Sequence, residues 1–203
     1  MVMHINLSSD LVPPPSITLG PNTLQVVDST KLLGVTIDNK LNWKPHVSEV
    51  VKSSSFRLHL FLRLKSLGVP APELLSVYTT FILRKLTYAS PTWSSSLNAT
   101  QSKHLEKVQK RACKIILSCS YSTYQEALNT PTFSALTDHH HDLICKFGEK
   151  LLHHPQHRLP LPPDIPRPRI SVRHHNRIQP IRARTGRSKN SPVPNIVKII
   201  NNL

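Results

Sequence analysis

Acidic residues are scarce in this chain: 11 Asp and Glu stand against 26 Lys and Arg in 203 residues, a formal net charge of +15. Such an imbalance favours a polyanionic partner, of which nucleic acid is the simplest. No two aspartates are adjacent, so the paired carboxylates that hold the two metal ions of a polymerase centre are missing. Asp10, Asp28 and Asp38 lie in or beside turns, where Asp is favoured for its own backbone hydrogen bonds. Five glycines, at 20, 34, 68, 148 and 186, are too few and too scattered for a phosphate-cradling loop or a dinucleotide fingerprint. No cofactor and no metal is expected.

Long apolar runs are missing too, which argues against a membrane-spanning role. The first residues, MVMHINLSSDLV, lack the basic start and apolar stretch of a secretory signal, so the expected location is intracellular. Three cysteines, Cys113, Cys119 and Cys145, are odd in number and fall in apolar helical stretches; they are expected to be small, reduced core residues. His139, His140 and His141, one turn before Cys145, do not have zinc-finger spacing and are read as solvated or half-buried side chains.

What the chain does contain is ordered from strand-like to helical to proline-rich. The runs SITLG and TLQVV flank a turn at Gly20, Pro21 and Asn22, and KLLGVTI follows as a third strand with Gly34 inside it, a place for a bulge or a close backbone approach. From Pro45 the apolar period becomes helical: Val47, Val51, Leu58 and Phe61 or Leu62 share a face until Gly68. A second helix opens at Pro70 and Pro72 with Leu75, Tyr78, Ile82 and Leu86 on its face. The third, capped by Asn98 or Thr100, carries the seam Leu105, Val108, Ala112, Ile115 and Cys119. A last one, from about residue 134 to 153, buries Leu136, Leu143 or Ile144, Phe147 and Leu151. Four helices with one apolar face each predict a bundle. After His154, nine prolines and ten basic residues accompany the single acid Asp164; this tail is expected to be largely extended or disordered, with the final PNIVKIINNL apolar enough to dock as a short helix.

Residues 29 to 47, STKLLGVTIDNKLNWKPHV, carry Lys31, Leu32, Leu33, Gly34, Val35, Asp38, Leu41, Trp43 and His46. This pattern resembles the segment after the polymerase palm in reverse transcriptases of non-LTR (LINE-type) retrotransposons, where it marks the primer-grip hairpin and the start of the thumb. Residues 78 to 117, with Tyr88, Ala89, Ser90, Pro91 and Trp93, resemble the same family's thumb. The start of the chain and its closing segment are similar to the end of the palm and to the family's tail, so the likeness runs over nearly the whole length. Two positions depart from it: Leu32 stands where an aromatic is usual, and Lys85 where Pro commonly follows Arg84.

The resemblance implies a C-terminal portion of an RNA-directed DNA polymerase that contributes primer-template binding without the catalytic palm, and so is not an enzyme on its own. In the family the hairpin turn approaches the primer end, so Leu33, Gly34 and Val35 would position a 3′ end, with Gly34 leaving room for the sugar-phosphate. Lys103, Lys107, Lys110 and Lys114 recur opposite the Leu105 seam with Arg111 beside them and only Glu106 as balance; the family's thumb lies against the primer-template duplex, which makes this face the candidate phosphate contact. Arg182, Arg184 and Arg187, with Lys189, form a second basic cluster, read equally as a nuclear-localisation patch, an RNA contact or a solubilising tail.

The expected fold is therefore mainly α with a small N-terminal β element. Residues 1–43 form short antiparallel strands, 44–153 a helical thumb-like bundle, and 154–203 a disordered basic tail. The expected partners are RNA-DNA hybrid or RNA and the palm and fingers of a parent polymerase, with no membrane contact and a nuclear location. The competing readings are a free-standing basic adaptor for nucleic acid and a non-functional transposon relic.

Overall fold

A computed structural model describes residues 1–7, 16–130, 133–159, 161–165 and 178–202; Asp10 lies outside them. The architecture is mainly helical with a small N-terminal antiparallel element. Two hairpins come first. Strands β1 (Thr18–Leu19) and β2 (Asn22–Thr23) pair around Gly20, and β3 (Ser29–Leu32) and β4 (Val35–Asp38) pair with Leu32 opposite Val35. The run KLLGVTI is thus two strands rather than one. Leu33 at φ 47° and Gly34 at φ 82° form its turn, because two successive left-handed residues give the reversal that matches strand twist. Gly34 is a turn residue and not a bulge in a strand.

Helix α1 (Lys44–Ser66) starts with Pro45 in its first turn and buries His46, Val47, Val50, Ser54, Leu58 and Phe61; Leu62 is exposed. Gly68, at φ 84°, follows its end, as expected for a residue that must turn left-handed. The second helix is continuous in three parts: α2 (Ala71–Val77), a π-helical stretch (Tyr78–Leu83) and α3 (Arg84–Thr87). Thr79 and Thr80 donate their hydroxyls back to the Ser76 carbonyl at 2.9 and 2.8 Å, and such back-bonding accompanies the widened turn. The wider turn shifts the register, so Leu74 rather than Leu75 is buried, together with Tyr78, Ile82 and Leu86.

Ala89 at φ 51° turns the chain into the short α4 (Ser90–Trp93), and a 3₁₀ turn (Ser94–Ser96) leads to α5 (Ala99–Leu117). Asn98 caps α5 in a reciprocal box with Gln101, satisfying two end groups at once. Its buried seam is Leu105, Val108, Ala112, Cys113 and Ile116. Ile115 is half-buried, and Cys119 is exposed on the 3₁₀ turn that ends the helix, so the expected seam drifts by one position over its last turn. Helix α6 (Tyr124–Leu128) precedes α7 (Leu136–His153), which buries Leu136, His140, Ile144 and Gly148. Phe147 is 39% exposed, because α7 meets its neighbours along a four-residue repeat.

The closing run of the tail, PNIVKIINNL, lies in a helix as far as Asn202, as expected of a segment apolar enough to dock. A short α8 (Pro155–Arg158), α9 (Gly186–Lys189) and α10 (Pro192–Asn202) occur in the tail, and residues 166–177 lie outside the described ones. Four apolar residues of α10, Ile196, Val197, Ile199 and Ile200, bury themselves with Ile144, Leu161 and Ile178 in a second core. Close approach to α7 is possible because Gly148 has no side chain: a Cβ there would come within 3.2 Å of Ile200 Cγ1. The larger core joins β4, α1, the second helix and α5.

Candidate nucleic-acid interface

The hairpin turn is held from one side by a single aromatic residue. Tyr88 donates its hydroxyl to the Leu33 carbonyl at 2.8 Å, and a Cβ on Gly34 would meet Tyr88 Cε1 at 3.3 Å. The space that Gly34 leaves is filled by this ring. Leu33 itself is 84% exposed in a backbone conformation that costs a non-glycine residue about 1–2 kcal/mol. An exposed leucine in a left-handed turn, where Asn would be favoured, contributes little to folding, and such local conflicts concentrate at functional positions. The three residues expected to form a primer grip thus sit differently: Leu33 at the tip, Gly34 against Tyr88, Val35 in the core.

Beneath the hairpin, the other motif residues build a rigid corner. The Asp38 carboxylate accepts from the backbone N–H of Asn42 at 3.0 Å and of Trp43 at 2.9 Å, fixing a loop in which Leu41 and Trp43 are both left-handed. Gln101 of α5 donates to the Asn42 carbonyl at 2.7 Å, tying the corner to the bundle. His46 lies 5.2 Å from Trp93 and Trp93 lies 5.3 Å from His140, ring centre to ring centre and edge-on, an arrangement favoured by aromatic quadrupoles. The Thr36 N–H donates to His46 Nδ1 at 3.2 Å, and His140 Nε2 donates to the Leu86 carbonyl at 3.2 Å. Burial lowers the pKa of both imidazoles, since desolvation disfavours their charged form. Glu49 holds β3 and β4 to α1: its pKa is lowered by the Lys31 ammonium and the Thr36 hydroxyl, both bonded to its carboxylate.

Lys103, Lys107, Lys110, Arg111 and Lys114 are all exposed on α5. At about 100° per residue they fall within an arc of about 100°, on the side opposite the buried seam. None of the five takes part in an ion pair among the described residues. Glu106, the single acid of the helix, accepts from the Tyr124 hydroxyl, a bond that adds to burial in raising the tyrosine's pKa. The face is therefore a row of cations without an ion-pair partner among the described residues, on a capped helix. In the tail, Arg182, Arg184 and Arg187 are exposed as well. Thr185 caps α9, and Ser96 donates to the Asn190 carbonyl at 3.2 Å, which brings the end of α9 beside the start of α5. The hairpin turn and the α5 face are built on different elements, and no hydrogen bond links Leu33 or Gly34 to the five cations.

Cys113 is buried, and burial pushes its thiol up to about 12; it is a core residue. Cys145 faces His141 Nδ1 at 3.6 Å. Among the described residues no group of three or more His, Cys, Asp and Glu is placed to hold a metal ion, and no helix is long and apolar enough to cross a membrane. Tyr88, Trp93 and His46 carry no functional signal in the sequence beyond their place in the motif; their contacts arise only from tertiary packing. No family model, no curated protein and no solved structure matches the chain.

Proposed function

We propose that the chain is a nucleic-acid-binding module, the primer-grip and thumb portion of a LINE-type reverse transcriptase, which grips an RNA-DNA hybrid through phosphates without carrying out the polymerisation itself. The observation that supports this reading best is the outer face of α5. Five exposed cations there have no acidic partner among the described residues, while the only acid of the helix is occupied by Tyr124. A solvated face in an ordinary protein alternates signs; this one does not. Lys and Arg in this arrangement neutralise phosphates and set register without reading bases.

The palm and fingers of the parent polymerase are the proposed protein partner, and a nuclear location follows from the same reading. The test is a salt titration of binding to an RNA-DNA hybrid. Five phosphate contacts give a slope of log K against log salt of up to about −4.5, each contact contributing just under one unit. A slope near zero, or no binding at low salt, would overturn the reading.

A further inference from the structure

A second site lies beside the hairpin, in an open groove of about 470 Å³ between the second helix and α7. Its volume falls in the range of roughly 300–1,000 Å³ common to small-ligand pockets. Arg84 and Lys146 line it. Both are exposed, and neither forms an ion pair among the described residues. Tyr88 forms part of the wall and is 50% exposed. Its hydroxyl is bound to Leu33 and its ring rests against Gly34, so an aromatic surface is held in place before any ligand arrives. The hydroxyls of Thr79, Thr87 and Tyr88 all donate to backbone carbonyls, so toward the groove they offer oxygen lone pairs. Asp142 adds a carboxylate.

Cations, a fixed aromatic ring and a set of acceptors make different demands on a ligand. A bare phosphate would use the cations and leave the acceptors idle. A purely apolar molecule would use the ring alone. A nucleotide satisfies all three, with its phosphate on the cations, its base on the ring, and its sugar hydroxyls or exocyclic amine donating to the acceptors. We infer that this groove binds a single nucleotide unit, separately from the duplex-binding face of α5. This inference rests on the nucleic-acid reading above and names the chemistry of one more contact. The π-helical stretch that supplies Thr79 and Leu83 to the wall fits, since such widened turns recur at functional sites.

The test uses two probes, 5-bromouridine monophosphate and a single-stranded tetranucleotide ending in 5-bromouridine, each titrated and then photo-crosslinked to the intact chain. The expected result is a crosslink mapped by mass spectrometry to the peptide containing Tyr88, with affinity reduced about tenfold or more in the Arg84→Ala/Lys146→Ala variant, as for lost charged hydrogen bonds. Both changes are at exposed positions, and circular dichroism would verify that the helices persist. Binding of the mononucleotide identifies a free nucleotide as sufficient; binding of the tetranucleotide alone identifies a unit of a strand; either supports the inference. Crosslinks elsewhere, binding of neither probe, or affinity within twofold of wild type in the double variant would overturn it. Hybrid-duplex binding measured on the same proteins separates the two claims: changing four α5 lysines to Gln should leave the mononucleotide site intact, whatever it does to the duplex.

Discussion

Asp38 is the residue whose removal tests the corner most sharply. It is 7% exposed, and its carboxylate accepts from two backbone N–H groups, those of Asn42 and Trp43. Asp38→Ala leaves both donors without a partner, the Trp43 one at a buried position. A hydrogen bond to a charged acceptor is worth about 1.5–3 kcal/mol, so the loss of two is about 3–6 kcal/mol, a large share of the about 5–15 kcal/mol that holds a domain. Asp38→Asn keeps one side-chain oxygen and should lose about half as much. Asp28→Ala is the control: its carboxylate accepts from the Asn39 side chain at an exposed site, and the expected cost is under about 1 kcal/mol. Trp43 and Trp93 are 8% and 0% exposed, so their fluorescence reports unfolding in urea directly. A reduced midpoint at constant slope would show lost stability rather than a changed unfolded state. If Asp38→Ala unfolded within about 1 kcal/mol of wild type, the corner would not depend on this carboxylate, and the motif's aspartate would need another explanation.

Lowering the pH should destabilise the protein before its carboxylates titrate. His46 and His140 have folded pKa values below their unfolded value of 6.5, so the stability from neutral rings is present above about pH 6.5 and is lost as pH falls through the folded values. Around His46, Glu49 opposes this shift while Lys85 and Lys31 reinforce it; around His140, the Leu86 carbonyl opposes and His139 reinforces. Each ring contributes a slope of up to about 1.4 kcal/mol per pH unit, and urea midpoints between pH 7.5 and 5 that did not move would refute it. Gly148→Leu should force α10 away from α7 at a cost of about 1–3 kcal/mol from overpacking; limited proteolysis would then cut the segment 178–202 sooner than in wild type, and equal resistance would count against the second core. Leu33→Asn should stabilise the hairpin by about 0.5–1 kcal/mol, because Asn tolerates the left-handed conformation; a loss of stability in urea unfolding would show that Leu33 packs against something.

Pattern was informative where one local rule decides the structure. Asn98, one of two candidate caps, is the cap of α5, and Pro45, Pro72 and Gly68 mark helix ends, so these boundaries could be read from residues to within a position or two. The face of a helix was harder. The π turn at Tyr78–Leu83 moves the register from Leu75 to Leu74, and nothing in a hydrophobic period announces it. Phe147 was expected inside by its apolarity, yet α7 presents Gly148 to α10, and a glycine gives no hydrophobic signal. The α10 docking surface was visible in the apolar PNIVKIINNL, whereas its consequence, an ordered end to a proline-rich tail, needed the partner groove on α7. Of the site, the α5 cations were legible because lysines recurring at three and four residues share a face. The Arg84 and Lys146 groove was not, since its two cations come from elements 62 positions apart in sequence and only tertiary packing brings them together.

The most direct test of the account is the salt dependence of RNA-DNA hybrid binding when Lys103, Lys107, Lys110 and Lys114 are changed together to Gln. All four lie opposite the seam of α5, so the helical circular dichroism should be unchanged, whereas the companion Ile116→Asp, which places a charge in the core, should unfold the bundle. The account predicts weaker binding by the Gln variant and a slope reduced by up to about four units. A Gln variant that kept the wild-type slope would contradict it and move the contact elsewhere, with Arg182, Arg184 and Arg187 the next group to change.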